Sequence, residues 1–242
     1  MVKFRRYLAI LSLFLASSTI AEENERLSFD FRVFGVGKDS FEGLFYFTGE
    51  RYEALSFHRT HRSAQKYSYS GKALFQAHVK NMSYDPNDPA SIEFLPVAST
   101  LPSSAREQLV VFVAHSKNRE VTAINRKFTL FSINDTPQHF ERNTVIILNT
   151  TGVELFGRID SEDIRLPPGP SKPVRYSAKG RSKTRIVFAL ETQGEVKLVM
   201  SNDVNLANNR RYLIILEPPR RKGSFRVAVR VLAESVFPAP TE

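Results

Sequence analysis

The chain contains no cysteine and no tryptophan. Without cysteine it forms neither disulfide bonds nor thiolate metal sites, so its stability must come from the burial of apolar surface. An exported chain without disulfides is more typical of bacteria than of eukaryotes. The absence of tryptophan also weakens any expectation of a sugar-binding surface, which would have to rely on tyrosine or phenylalanine rings.

Long apolar runs are scarce as well. The longest covers residues 7–16, about half of the roughly twenty residues that a membrane-spanning helix needs. Basic residues within positions 3–6 precede it, and a segment with small residues, as at a signal-peptide cleavage site, ends at Ala21. This pattern predicts a cleaved signal peptide over residues 1–21, and therefore a mature chain without a transmembrane segment in the periplasm or outside the cell.

The chain is basic, with 34 lysines and arginines against 25 acidic residues and a formal net charge of +9. Nucleic acid is the commonest partner of a basic chain, but an exported protein rarely meets it, so we expect no nucleic-acid partner. The anions available outside the cytoplasm are envelope glycans, lipid phosphates and acidic proteins. These are the expected partners.

Short apolar segments separated by turn residues predict an all-β fold of about fifteen strands. The segments Leu27–Val33 and Phe225–Val231 alternate apolar with polar residues, which indicates strands with one exposed face. Five continuous apolar runs are more typical of strands that are buried on both faces. These runs are Leu44–Phe47, Leu109–Val113, Val145–Leu148, Ile186–Leu190 and Tyr212–Leu216.

Two stretches of the first half recur in the second half. Residues 108–127 and 212–231 both combine an apolar strand, a basic turn and an alternating strand, at an offset of about 104 residues. A weaker match, Tyr67–Ser70 with Val174–Ser177, lies at an offset of about 107. Two similar offsets favour a duplicated unit of immunoglobulin size, and chance similarity between basic β-hairpins is the alternative.

The turn formers Asn134–His139 lie between apolar runs and mark a boundary between the two units. We therefore predict two β-sandwich domains in tandem, at residues 22–133 and 134–242. The segments Asn143–Gly152 and Pro167–Pro170 resemble the opening strands of immunoglobulin-like modules in uncharacterised bacterial secreted proteins. This resemblance covers the second half only, and it implies a sandwich fold without implying any catalytic residue.

Basic residues concentrate at positions that the strand pattern places in loops. If the repeat is real, residues 117–119 and 220–222 are equivalent hairpin tips. We expect them to provide an anionic contact whose affinity falls as salt rises. The alternative is that they are solvated turns. The candidate binding residues are Lys117, Arg119, Arg220, Arg221 and Lys222.

Other candidates for chemistry are weak. Tyr67 and Tyr69 lie on one face of a predicted strand, where they either stack on sugar rings or serve as structural tyrosines. The pair His58 and His61 has no cysteine to complete a structural zinc site; a metal site would need Asp or Glu from elsewhere in the chain, and exposed polar residues are the alternative. Ser63 and Lys66 have the spacing but not the helical context of a serine–lysine pair. We expect neither a metal nor a cofactor.

These observations predict a non-enzymatic binding or scaffolding protein of the bacterial cell envelope. One alternative is an envelope hydrolase acting on carbohydrate, with carboxylates from the regions 50–53 and 160–163. Another is an assembly or chaperone-like module that uses an exposed strand edge.

Overall fold

The computed structural model describes residues 26–37, 41–115, 128–176 and 183–236. Within these ranges it contains seventeen β-strands, and the prediction of an all-β chain is confirmed. No helix in this part of the chain is long and apolar enough to cross a membrane. The predicted signal peptide, residues 1–21, lies outside the described residues.

The strands fall into an N-terminal set and a C-terminal set. The N-terminal set comprises β1 (Leu27–Val36), β2 (Leu44–Phe47), β3 (Tyr52–Ala54), β4 (Tyr67–Gly71), β5 (Phe75–Lys80), β6 (Phe94–Thr100), β7 (Glu107–Ala114) and β8 (Phe128–Asn134). The C-terminal set comprises β9 (Thr144–Asn149), β10 (Leu155–Ile159), β11 (Glu162–Leu166), β12 (Gly169–Pro170), β13 (Val174–Arg175), β14 (Lys183–Thr192), β15 (Glu195–Asn205), β16 (Arg210–Glu217) and β17 (Ala228–Ser235).

Each set forms two sheets. In the N-terminal set the first inner sheet has the order β4-β1-β7-β8 and the first outer sheet the order β3-β2-β5-β6. In the C-terminal set the second inner sheet has the order β12-β9-β16-β17, with β13 also paired to β9, and the second outer sheet the order β11-β10-β14-β15. The two sets therefore share one strand order.

The register of the inner sheets repeats as well. In each set the first strand pairs antiparallel with one neighbour and parallel with a later strand. The aligned residues are Phe31 with Tyr67 and Gln108 in the N-terminal set, and Val145 with Val174 and Tyr212 in the C-terminal set. The sequence matches at both offsets thus fall on residues that occupy the same place in the two sheets.

A separate hydrophobic cluster fills the space between the two sheets of each set. The N-terminal cluster is rich in aromatic rings because strands β1, β2, β4 and β5 each direct rings into it. Phe31 lies at its centre, with its ring centroid 5.0 Å from that of Tyr46, 5.3 Å from Tyr67 and 5.2 Å from Phe75. Both sets are therefore sheets packed face to face, as in a β-sandwich.

A third cluster joins the two inner sheets to each other. Successive side chains of a strand point to opposite faces, so Val33 enters the N-terminal cluster while Phe34 enters the third one. In the same way Ile147 packs within its own set while Ile146 packs against the other set. The four sheets are thus stacked in layers, and both inner sheets are covered on both faces.

This layering explains which apolar runs are buried on both faces. The prediction is confirmed for Leu109–Val113, Val145–Leu148 and Tyr212–Leu216, which lie in the inner sheets and are buried at every position. It is wrong for Leu44–Phe47 and Ile186–Leu190. These two runs lie in the outer sheets, where Phe47 is 39% exposed and Val187 only half-buried.

His78 on β5 is a buried imidazole that makes stability depend on pH. Its ring is 6% exposed and lies edge-on to Tyr52, with the centroids 5.0 Å apart. Burial lowers the pKa of His78 below its ordinary value, whereas the unfolded chain binds a proton near pH 6.5. The unfolded state therefore takes up more protons as the pH falls below 6.5, and folding stability is lost in that direction.

We expect the free energy of unfolding to fall between pH 7 and pH 5.5, by at most about 1.4 kcal/mol for each pH unit below 6.5, because a single proton is taken up. Urea unfolding at both values measures this loss. The variant His78→Leu is expected to lose less stability over the same interval, because it has no imidazole to titrate. An equal loss in the variant would assign the pH dependence to other groups.

Candidate functional site

The loop between β16 and β17 carries the basic residues that the sequence places at a hairpin tip. Pro218 and Pro219 end β16, because proline has no N–H to donate to a neighbouring strand. Gly223 takes a positive φ of 79°, which completes the turn. The backbone N–H of Ser224 donates to the carbonyl of Arg221 at 3.1 Å. This geometry leaves Arg220–Lys222 exposed.

The same loop borders a surface depression of about 400 Å³. The depression is lined by residues 227–229 and by four polar residues, Arg220, Arg221, Ser224 and Arg226. In the described part of the chain no ion pair involves Arg220, Arg221, Lys222 or Arg226. Four cations without a carboxylate partner create a positive potential that attracts anions.

Among the described residues, several exposed cations elsewhere contact a carboxylate, unlike those of the β16–β17 loop. Arg51 contacts Glu53 at 2.7 Å and Arg158 contacts Asp163 at 2.7 Å. Lys66 lies 3.0 Å from Glu107. The charges of these residues are balanced locally, so they attract external anions less than the β16–β17 loop does.

The other predicted basic tip is not part of this geometry. Lys117 and Arg119 lie outside the described residues, so their place relative to Arg220–Lys222 stays a prediction. Described residues therefore define the candidate site by the β16–β17 loop alone. Arg226 belongs to it as well, although the sequence pattern placed this residue in a strand and not in a loop.

The chain matches no protein-family model, and it has no significant match among curated proteins. Function is therefore inferred from the chain's own surface. Besides the β16–β17 loop, the candidate sites include a buried charge cluster, a cleft between the two sets and a large cavity on the second outer sheet.

The buried charge cluster lies where the two sets meet. Arg62 contacts both Asp135 and Glu234. Arg211 lies 3.1 Å from an oxygen of Asp135 and 2.9 Å from Glu234, and its guanidinium stacks 4.8 Å from the ring centre of Phe140. All four charged side chains are less than one-fifth exposed. Arg62 lies in the loop between β3 and β4, but its side chain is 13% exposed because it packs in this cluster.

Burial lowers the pKa of Arg211 to about 10, while Asp135 acts in the opposite direction. The guanidinium therefore stays charged at neutral pH. Two cations face two carboxylates here. In the neighbouring cleft of about 200 Å³ Lys66 contacts Asp30 and Glu107, and Arg32 donates to the carbonyls of Ser63 and Ala64. We interpret the cluster as the polar part of the junction between the sets and not as a ligand site.

A cavity of about 740 Å³ lies on the exposed face of the second outer sheet. It contains Asp160 and Asp163, which the hydrolase alternative requires. Hydrogen bonding from Arg158 lowers the pKa of Asp163. Arg51 has the same effect on Glu53 in the other predicted region. Both carboxyls are therefore held ionised, the opposite of what a general acid for glycoside cleavage requires.

The remaining candidates are structural. Tyr67 and Tyr69 are 2% and 5% exposed, so their rings cannot stack on a sugar, and the stacking hypothesis is wrong. The hydroxyl of Tyr69 donates to the carbonyl of Lys72 at 2.8 Å, while that of Tyr67 accepts from Ser56 N–H at 2.7 Å. Buried rings with bonded hydroxyls are typical of structural tyrosines.

The histidine and serine–lysine motifs also lack the surroundings that chemistry needs. His58 and His61 stack with their centroids 3.3 Å apart, and the described residues contain no group of three potential metal ligands. Ser63 is buried and donates to the carbonyl of Gln65, whereas Lys66 contacts carboxylates. No serine–lysine pair forms.

Proposed function

We propose that this chain is an exported, non-enzymatic binding protein of the bacterial cell envelope. It contacts an anionic envelope component through the β16–β17 loop. The observation that supports the proposal is a group of exposed cations without a carboxylate partner among the described residues: Arg220, Arg221 and Arg226 line one depression, and Lys222 lies in the same loop. Such a site binds anions mainly by charge, so its affinity falls as salt rises.

The proposal extends to the domain organisation. The N-terminal and C-terminal sets are two immunoglobulin-like β-sandwich domains produced by duplication, with the connection between them following β8. The shared strand order and the repeated register of the inner sheets support this interpretation. Export rests on the signal-like segment 1–21, and the bacterial setting on the lack of cysteine.

The test replaces Arg220, Arg221 and Lys222 together by glutamine. Each basic residue near an anionic membrane contributes about 1 kcal/mol, so the loss of three is expected to weaken binding to phosphatidylglycerol vesicles by about a hundredfold. Heparin serves as a second probe that represents an acidic glycan. For both probes the difference from the unmodified chain is expected to shrink at high salt.

A matched control removes the same charge from paired cations. Lys80, Arg158 and Arg165, which contact Glu93, Asp163 and Glu154, are replaced by glutamine in one variant. This variant is expected to retain most of the binding. If it loses as much affinity as the loop variant, net charge alone governs binding and the proposed site is wrong.

A further inference from the structure

The two sets differ at one edge of their sandwiches. In the N-terminal set, β6 of the outer sheet lies against β8 of the inner sheet, and the N–H of Ser103, in the segment after β6, donates to Ser132 Oγ at 3.4 Å. The equivalent strands of the C-terminal set are β15 and β17. A backbone hydrogen bond links β15 to the residue that precedes β17, where Val227 N–H donates to the carbonyl of Val199 at 3.2 Å. The second sandwich is therefore open where the first is closed.

A cleft of about 270 Å³ occupies this opening. It is lined by residues 198–202 of β15 on one side and by Arg226, Val227 and Val229 on the other. The last three residues also line the depression at the β16–β17 loop, so the cleft and the basic depression are continuous.

Exposed apolar side chains occur on the segments that line the cleft. Leu198 lines it and is 57% exposed. Val196 on β15 is 66% exposed, Phe225 in the segment before β17 is 46% exposed, and Val231 on β17 is 43% exposed. Natural edge strands are usually protected by charges, prolines or covering segments. Exposed apolar residues on the segments that border one opening are a common feature of surfaces that bind another chain.

The backbone of β17 can accept a further strand. Within the described residues β17 pairs only with β16. Val236 N–H donates to the carbonyl of Asn209 at 2.8 Å, and antiparallel strands alternate the direction of their backbone groups. The N–H and C=O groups of Val229, Val231 and Ala233 therefore point away from β16, toward the open side.

The charges near the free edge of β17 indicate the chemical class of its ligand. Arg220–Lys222 and Arg226 have no carboxylate partner among the described residues, whereas the nearby carboxylates of Asp203 and Glu217 already contact Arg185 and Arg230. We infer that this opening binds an acidic polypeptide segment in extended conformation. The segment adds a strand to β17, places alternate apolar side chains in the cleft and directs its carboxylates to the four cations. This inference rests on the proposed function and names the class of anion.

The test uses a short peptide in which valine alternates with glutamate. Its affinity is measured by titration calorimetry, and amide exchange of β17 is followed with and without peptide. We expect slower exchange at Val229 and Val231 on binding, since their N–H groups become bonded. A block peptide of the same composition and a peptide N-methylated on alternate residues are expected to bind about tenfold more weakly, because neither adds a regular strand.

Substitutions at Val231 test the contribution of the β17 backbone to peptide binding, and a substitution at Arg226 tests the contribution of charge. Val231→Pro removes one outward N–H without removing a bond to β16, and it is expected to weaken peptide binding about tenfold, whereas Val231→Thr keeps the N–H and the affinity. Arg226→Gln is expected to weaken binding and to reduce its salt dependence. If Val231→Pro fails to fold, the N-methylated peptide and Arg226→Gln still test the inference.

Four outcomes would overturn the inference. They are equal binding of the alternating and block peptides, slow exchange of the β17 edge in the free chain, a dimer of the free chain that dissociates in Val231→Pro, and binding of heparin or vesicles without binding of peptide. The last outcome is consistent with the proposed anionic site and contradicts only the inference that its ligand is a peptide. Absence of binding to every probe would contradict both the proposed function and the inference.

Discussion

Asp135→Ala is expected to lower the free energy of unfolding by about 3–5 kcal/mol, the usual cost of leaving a buried charge without its partner. The carboxylate of Asp135 is 8% exposed and contacts both Arg62 and Arg211. Its removal leaves two buried guanidinium groups with the single carboxylate of Glu234. The uncompensated charge has little access to water, so solvation does not replace the lost contact.

Urea unfolding of the variant measures the loss. The control is Asp163→Ala, which also removes an aspartate bonded to an arginine, but at a pair whose side chains are 57% and 76% exposed. Water and salt screen that pair, so its loss is expected to change stability little. Similar losses in the two variants would show that the cluster at the junction contributes no more than a surface ion pair.

The position of this cluster shows why sequence could not reveal it. Asp135 lies opposite Glu107 in the first inner sheet, and Glu234 pairs with Arg211 in the second. Asp135 and Glu234 therefore occupy equivalent places in the two sheets, although they are distant in sequence. Their contact with Arg62 depends on how the two sets pack. Hydrophobic periodicity and composition predict local structure, but they do not predict how the two sets pack against each other. Arg62 in isolation therefore has the pattern of an ordinary loop arginine.

Local patterns predicted the inner sheets well because those strands are covered on both faces. Tyr212–Leu216 is apolar throughout since both of its faces meet other sheets. Leu44–Phe47 has the same pattern for a different reason. Phe45 and Phe47 point to the open side of the first outer sheet, where they pack on Phe94 and Tyr52 at 5.1 and 5.2 Å. An apolar run alone does not distinguish these two situations.

The candidate site was predicted in part for a similar reason. A turn rich in cations between two strand patterns placed Arg220–Lys222 at an exposed loop. The opening between β15 and β17 was not predictable, because it depends on the spacing of two edge strands from different sheets. Val227 and Val229 belong to an alternating pattern that is typical of any strand with one exposed face.

Phe34→Ala is expected to cost about 3–5 kcal/mol and to weaken both sets at once. Phe34 is 2% exposed and projects from β1 into the cluster between the inner sheets. Its removal leaves a cavity that borders the C-terminal set, although the substitution lies in the N-terminal one. The matched control, Phe31→Ala, creates a cavity of the same kind within the N-terminal cluster, where Phe31 is 1% exposed.

Native-state hydrogen exchange separates the two variants. Packing energy at the junction is lost when either set opens, so Phe34→Ala is expected to speed exchange at Ile146 and Leu213 of the second inner sheet. Phe31→Ala is expected to speed exchange mainly in β1, β4 and β7, because its cavity does not touch the other set. If Phe34→Ala leaves Ile146 and Leu213 as protected as before, the two sets are energetically independent despite their contact. In that case a ligand that binds at β17 stabilises only the C-terminal set.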